Sequence, residues 1–341
     1  MTEAANGASR AIAWEYGVMR VERRGAMLAP VLFVLPDGRQ VAPFQVAPWF
    51  SEPAAQALPG LMARLRGDWP CIPFGFDVDR HPFRNWPGSR AADAVDEGHG
   101  FGANHDWTFA EDRSDALSLF INYPQSHPIA RVERRIRPDP SGPAIDVELT
   151  VHPRRDCQLP VGVHPTFRLP SAPGSFEIAL DSRTRIATFP GELDASAIFL
   201  PGQFAEISSV PLKRGGALDI RRIPFAENTE ELVQILDAGG VILLRNHHEG
   251  YAVSLSWNAS DFPSALLWLS IRGRTLEPWR GRHLALGVEP VCSAFDLGTA
   301  ISEAVNPLNA SGVRTVHAFE AGKAWTARYR FVIEALGDSR G

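Results

Sequence analysis

The segment "PAIDVELTVHP" limits the fold more than any other part of the chain. Ile145, Val147, Leu149 and Val151 alternate with Asp146, Glu148, Thr150 and His152. A repeat of two puts the apolar set on one side of an extended backbone and the polar set on the other, which describes a half-buried strand and not a helix. The preceding "HPIARVERRIRP" reads as its partner. Asp139-Pro140-Ser141-Gly142 lies between them and supplies the turn chemistry of a hairpin.

Similar pieces recur along the chain. "APVLFVLPDGRQVAPF" reads as a hairpin across Pro36-Asp37-Gly38. "SLFINYP", "VILLRNHHEGYAVSLSW", "SALLWLSI", "HLALGVEP" and "WTARYRFVIEAL" read as further strands. Helical signal is sparse: "SEPAAQALPGLMARL" could hold one or two short helices interrupted at Pro59-Gly60. There is no βαβ rhythm, so a doubly wound parallel sheet is disfavoured. Many short strands at roughly ten-residue spacing predict a large antiparallel sandwich or barrel. With no low-complexity linker, residues 1–341 are expected to form one domain, with about the first ten as a flexible tail.

Composition narrows the function classes. The 341 residues are 45% hydrophobic and 21% charged, as in an ordinary globular protein. The formal net charge is −5 and neither sign forms a long run, so nucleic acid is not an expected partner. No apolar run approaches the roughly 20 residues of a membrane helix, and the N-terminus lacks the layout of a signal peptide. Cys71, Cys157 and Cys292 are far apart, which suggests free thiols in a reducing cytoplasm and no zinc knuckle or disulfide framework. The adjacent His247 and His248 would point to opposite faces of a strand, so they do not suggest a metal site.

His-Pro occurs four times, at His81, His127, His152 and His164, so the dipeptide by itself identifies nothing. In "VGVHPTFRLP", His164 follows an apolar strand and precedes Pro165; in "LALGVEPV", Glu289 precedes Pro290 in the same way. Proline removes a ladder donor and biases the residue before it toward extended geometry, so both side chains are expected at strand ends, beside a loop or cleft. The least regular segment, Gly75 to Trp107, is rich in Asp, Arg, His and Gly and ends on "HGFGANHDW". Irregular segments of this length in compact domains are usually functional or disordered, and its aromatic residues argue against disorder.

Taken in order, His-Gly-Phe followed by Trp, His-Pro-x-Phe, a strand ending Glu-Pro, and the closing "AFEAGKAWTARYRFVI" resemble the aldose 1-epimerase, or galactose mutarotase-like, family from about Trp14 to Leu336. The resemblance implies an antiparallel β-supersandwich and a sugar mutarotase that interconverts α and β anomers without a metal or cofactor. It implies that Glu289 is the catalytic base and His164 the general acid, and that His99 contacts the ring oxygen or neighbouring hydroxyls. Trp107 and Phe167 would support or line the pocket, as aromatic faces pack on sugar C–H surfaces.

The chain departs from the family at several positions. The Asn-Arg pair whose arginine grips sugar hydroxyls is missing, which leaves Arg80, Arg84 and Arg90 as candidates. The motif supplying a substrate-binding aspartate is missing too. Ala103 stands where a hexose-6-phosphate mutarotase-like branch has arginine, so a phosphosugar is not favoured. A small-molecule sugar is the expected partner, for a monomer or homodimer. Two rivals stay open at this point: a catalytically silent carbohydrate-binding protein, and another isomerase or lyase acting on an acidic or phosphorylated sugar.

Overall fold

The computed structural model describes residues 8–76, 86, 97–110 and 115–337. Strands dominate, and every pairing between named strands is antiparallel. The alternating hairpin forms as predicted: Ile129–Pro138 pairs with Ala144–Pro153, and the side chain of Asp139 accepts from the backbone and hydroxyl of Ser141 in the turn. Ile145, Val147, Leu149 and Val151 are all buried.

These strands belong to a nine-stranded sheet whose centre runs Val241–Asn246, Tyr251–Trp257, Trp325–Ala335, Ala144–Pro153, Ile129–Pro138 and Leu117–Asn122. An eight-stranded sheet faces it. Its inner order is Arg185–Thr188, Thr229–Ile235, Ser264–Ile271, Leu284–Cys292, Val161–Val163 and Pro70–Cys71, with Thr166–Arg168 also paired to Leu284–Cys292. The main core lies between the sheets, where Val147 and Leu149 of one meet Leu267 and Val288 of the other. A four-stranded sheet, Ser9–Trp14 to Gln40–Val41, packs into the same core. Ser9 and Arg10, expected within a flexible tail, pair with Glu22 and Val21.

One buried polar group crosses this core. Arg134 of the large sheet donates to Asp68, just ahead of the Pro70–Cys71 strand, and Tyr329 donates to the same carboxylate at 2.8 Å. A charge pair taken wholly out of water is tolerated only when hydrogen bonds complete it, and removing one partner of such a pair is costly. Here the group ties the small sheet to the large one immediately beside Trp69.

A second apolar cluster covers the outer face of the eight-stranded sheet and includes Trp49, Trp69, Leu266, Trp268 and Phe295. The helical elements sit on this side. Pro53–Ala57 and Gly60–Ala63 are 3-10 turns separated at Pro59, as the sequence suggested. Gly298–Glu303 and Pro307–Ala310 were not read from the sequence; a capping box at Asn306 starts the second. Cys71 and Cys292 are buried, Cys157 is partly so, and all three are free thiols. Among the described residues, no helix is long and apolar enough to cross a membrane.

Candidate active site

"SALLWLSI" looks uniformly apolar because both faces of this strand are covered. Ala265, Leu267, Leu269 and Ile271 point into the main core, while Leu266 and Trp268 point to the outer cluster. The same alternation governs the neighbouring strands. Leu286 and Val288 face the core, and Gly287, Glu289 and Val291 fall on the opposite face. Glu289 is thus placed on the outer side of the small sheet, where Leu266 is its cross-strand partner.

The register brings His164 to it. Val161 pairs with Cys292 and Gly162 with Val291; beyond the proline, Thr166 pairs with Gly287. Carrying this unbroken register through the gap sets His164 directly opposite Glu289. Pro165 cannot donate, but its carbonyl accepts from Val288 at 2.8 Å, so the ladder holds across the interruption. On its other edge the His164 backbone donates to Trp69 at 2.9 Å.

The His164 Nε2 and Glu289 Oε1 atoms are 3.3 Å apart. The approach is close without hydrogen-bond alignment, and Oε1 has no hydrogen-bond partner among the described residues. His164 Nδ1 lies 3.2 Å from the Thr166 hydroxyl, and the ring stacks on Trp69 with centroids 4.1 Å apart. A sugar mutarotase is expected to hold His164 and Glu289 facing each other across a cleft about one sugar ring wide, and the structure does not. Adjacent strands of one sheet put them side by side.

His99 arrives from a distant part of the chain. It precedes the short helix Gly100–Asn104 with φ of 61°, and its backbone donates to Gly75 at 2.7 Å. Gly100 is required there, because a Cβ would lie 2.2 Å from the Ile72 carbonyl oxygen. The His99 ring meets His164 edge-on at 5.1 Å. The three residues line one cavity of about 110 Å³ together with Trp69, Phe76 and Trp268. At about 30 Å³ per water in the liquid, that is room for roughly four water molecules.

The proposed aromatic supports lie elsewhere. Phe167 does not line the cavity. Three residues after His164 on extended backbone, it points to the opposite face and stacks on Phe44 in the main core at 5.4 Å. Trp107 is also fully buried in that core; its indole donates to Gly102 at 2.7 Å, which fastens the helix that follows His99. The aromatic wall is instead made by Trp69, Phe76, Trp268 and Trp279. Arg80, Arg84 and Arg90 lie outside the described residues. Asp296 and Arg274, which the sequence reading missed, also line the cavity. Each lies on a loop beyond a strand of the small sheet, and no local motif marks either one.

Burial sets the protonation. Desolvation, followed by the charge of Asp296, pushes the Glu289 carboxyl well above the usual carboxylate range. Desolvation, followed by His99, holds His164 well below the ordinary histidine value. Each shift favours an uncharged side chain. Among the described residues, no group of three or more His, Cys, Asp or Glu side chains could hold a metal ion. His247 pairs with Glu177 at 2.8 Å.

No protein-family model matches the sequence, and no curated protein is significantly similar to it. Solved structures do match over nearly the whole chain. A galactose mutarotase-like protein from Lactobacillus casei superposes with a TM-score of 0.59 at 14% identity, covering 96% of this chain and all of its own. The fold is the galactose mutarotase-like one. A GalM/aldose epimerase homologue from C. elegans gives a TM-score of 0.61 at 11% identity, covering 96% of this chain and 99% of the homologue. A further galactose mutarotase-like protein, from Clostridium acetobutylicum, gives 0.58 at 12% identity, with 96% and 95% covered. The antiparallel supersandwich implied by the resemblance is therefore present, with its strands in the expected segments.

Proposed function

We propose that this protein is a sugar mutarotase of the aldose 1-epimerase kind, interconverting the α and β anomers of a small sugar. The observation that carries this reading is the cross-strand pair of His164 and Glu289, 3.3 Å apart at one cavity. Opening a pyranose to its free carbonyl form removes a proton from the anomeric hydroxyl and delivers one to the ring oxygen. Those two oxygens are bonded to the same carbon. A base and an acid standing side by side can reach both, so a gap as wide as the ring is unnecessary.

Glu289 takes the anomeric proton and His164 protonates the ring oxygen; rotation about the C1–C2 bond and closure with the roles reversed give the other anomer. The active form has a carboxylate and an imidazolium. It carries the same number of protons as the uncharged pair that burial favours, so one proton crossing between two adjacent groups interconverts them. His99, edge-on to His164, is placed to meet a hydroxyl beside the reacting centre. Trp69 holds the His164 ring in plane by stacking.

Polarimetry on freshly dissolved pure anomers tests the proposal. Acceleration over the spontaneous rate is expected for at least one aldose, and it should be lost in Glu289→Gln. A wild-type protein that accelerates no aldose, ketose or sugar phosphate would overturn the reading.

A further inference from the structure

Arg274 is the one arginine or lysine among the described residues lining the cavity. It lies on the loop after the Ser264–Ile271 strand, beyond Trp268 from the catalytic pair. The centroid of the Trp268 indole is 5.7 Å from the His164 ring, and the Arg274 guanidinium carbon is 5.5 Å from the same indole and 4.7 Å from Trp279. The guanidinium is thus held against two tryptophans at the far side of the site.

Its orientation is fixed from beneath. The Nε of Arg274 is 3.0 Å from Glu230 Oε1, and Glu230 is fully buried. That carboxylate also accepts from the Trp268 indole at 2.5 Å and from the Ser270 hydroxyl at 2.9 Å, and Ser270 in turn meets His283 Nδ1 at 2.8 Å. Ion-paired to Glu230 on its Nε side, Arg274 presents its two Nη groups as a fork of donors. A surface arginine has no need of a buried carboxylate, two indoles and a serine–histidine relay to hold it in place.

We infer that Arg274, clamped by Glu230, Trp268 and Trp279, is the substrate-gripping residue of this site, and that it donates to a pair of uncharged hydroxyls on the sugar away from the anomeric carbon. Charge decides between hydroxyls and an oxyanion. Glu230 offsets Arg274 directly, and Glu289 and Asp296 line the same cavity. Among the described residues, the Glu230 and Asp296 carboxyls already match the one guanidinium, which leaves no excess cation for a phosphate, sulfonate or uronate, whereas a neutral diol accepts from the fork and brings no charge. The arginines that the sequence pattern offers, Arg80, Arg84 and Arg90, lie upstream of His99; the structure offers one from beyond His164.

The inference rests on a sugar site at this cavity, and binding tests it separately from turnover. Calorimetric titration of D-glucose, D-galactose and D-xylose, with glucuronate and glucose 6-phosphate as charged probes, would be run on wild type, Arg274→Met, Arg274→Lys, Glu230→Gln and Glu289→Gln. Neutral aldoses should bind wild type more tightly than the charged probes. Arg274→Met should weaken that binding by about 10–100-fold, as for loss of charge-assisted hydrogen bonds. Arg274→Lys, which keeps charge and loses the fork, should recover only part of it. Wherever turnover is measurable, Arg274→Met should raise KM more than it lowers kcat, the reverse of Glu289→Gln. Should Glu230→Gln fail to fold, the two Arg274 variants still decide. Unchanged affinity in Arg274→Met overturns the inference. So does a wild-type preference for the charged probes that Arg274→Met abolishes, or a wild type that binds no neutral aldose. Arginine-dependent binding without any acceleration of mutarotation would instead sink the enzymatic reading and leave the grip in place.

Discussion

Glu289 stands directly across the ladder from His164; Pro165 breaks the strand that carries His164, while the Leu284–Cys292 strand runs on through Pro290. The relationship is set by register, so it does not depend on a flexible loop. If these two groups move the protons, loss of either should depress turnover far more than binding. General acid–base groups are typically worth 10²–10⁴-fold, or roughly 3–5 kcal/mol of barrier. Glu289→Gln and His164→Asn should each fall toward the spontaneous rate in polarimetry with circular dichroism unchanged. His152→Asn is the control. His152 lies on the solvent side of Ala144–Pro153, 3.6 Å from Glu133, and its loss should change little. Equal losses in all three variants would indicate damage to the fold.

The pH profile should report the pair as a unit. The pair works with one proton between its members, so activity fails when a second proton is added or the shared one is lost. His164 is depressed and Glu289 raised, which moves the acid limb below the ordinary histidine range and the alkaline limb above the ordinary carboxylate range. The two limbs therefore move apart, and the pair keeps its single proton over the interval between them. Asp296 contributes to the Glu289 shift by like-charge repulsion. In Asp296→Asn that repulsion is gone, so the alkaline limb of kcat/KM should move to lower pH. A limb that stays in place or moves upward would contradict this account.

The buried histidines should subtract stability on the acid side for a related reason. His283 is held at about 3 by burial and then by Arg274, and His317 at about 4 by burial and then by Arg314; His164 is also depressed. In each case the unfolded chain binds a proton below about pH 6.5 that the folded chain refuses, so stability is complete above that pH and declines as pH falls toward the folded values. The expected slope is about 1.4 kcal/mol per pH unit for each fully refused proton. Carboxyls that burial raises, Glu289, Glu230 and Glu231 among them, act in the opposite sense over the same range, so the test is a difference between variants. In calorimetric scans from pH 7 to 5, Tm should fall less, or rise more, in His164→Asn than in wild type; an identical pH dependence in the two would show that His164 protonates freely in the folded state.

Much of this was legible in the sequence because it depends on local pattern. Period-two alternation located the Ile129–Pro138 and Ala144–Pro153 hairpin, and the His-Pro and Glu-Pro motifs singled out His164 and Glu289; His164 does lie at a strand end, but Glu289, expected at one, lies inside the Leu284–Cys292 strand. What failed was a matter of facing. Phe167 shares a motif with His164 but sits an odd number of residues away on extended backbone, so it belongs to the core. Counting parity would have excluded it and would have placed Thr166, whose hydroxyl approaches His164. Trp268 was hidden because "SALLWLSI" is apolar on both faces and carries no alternation to read. Arg274 and Asp296 were out of reach for a different cause. They lie on loops whose course is fixed by tertiary contacts, such as the Gln234 amide that accepts from Phe295 and bonds Ser264 and Ser293.

Gly287 offers the most stringent test of the site's geometry. It lies two residues before Glu289 on the same strand face and opposite Trp268. A Cβ at this position would come within 2.4 Å of Glu289 Oε1 and 2.9 Å of the Trp268 Cβ. The first neighbour is the free end of a flexible side chain and can swing away; the second is anchored to the backbone and can only shift slightly. Gly287→Ala should therefore fold, at a cost of about 1–3 kcal/mol typical of overpacking, while turning the carboxyl out of line with His164. Because misplacement by about 1 Å can cost on the order of 10²-fold, kcat should fall steeply although His164 and Glu289 are both intact. Chemical denaturation and polarimetry on the same preparation separate the two effects. Full activity in Gly287→Ala would mean that the carboxyl position seen here is not the one that reacts.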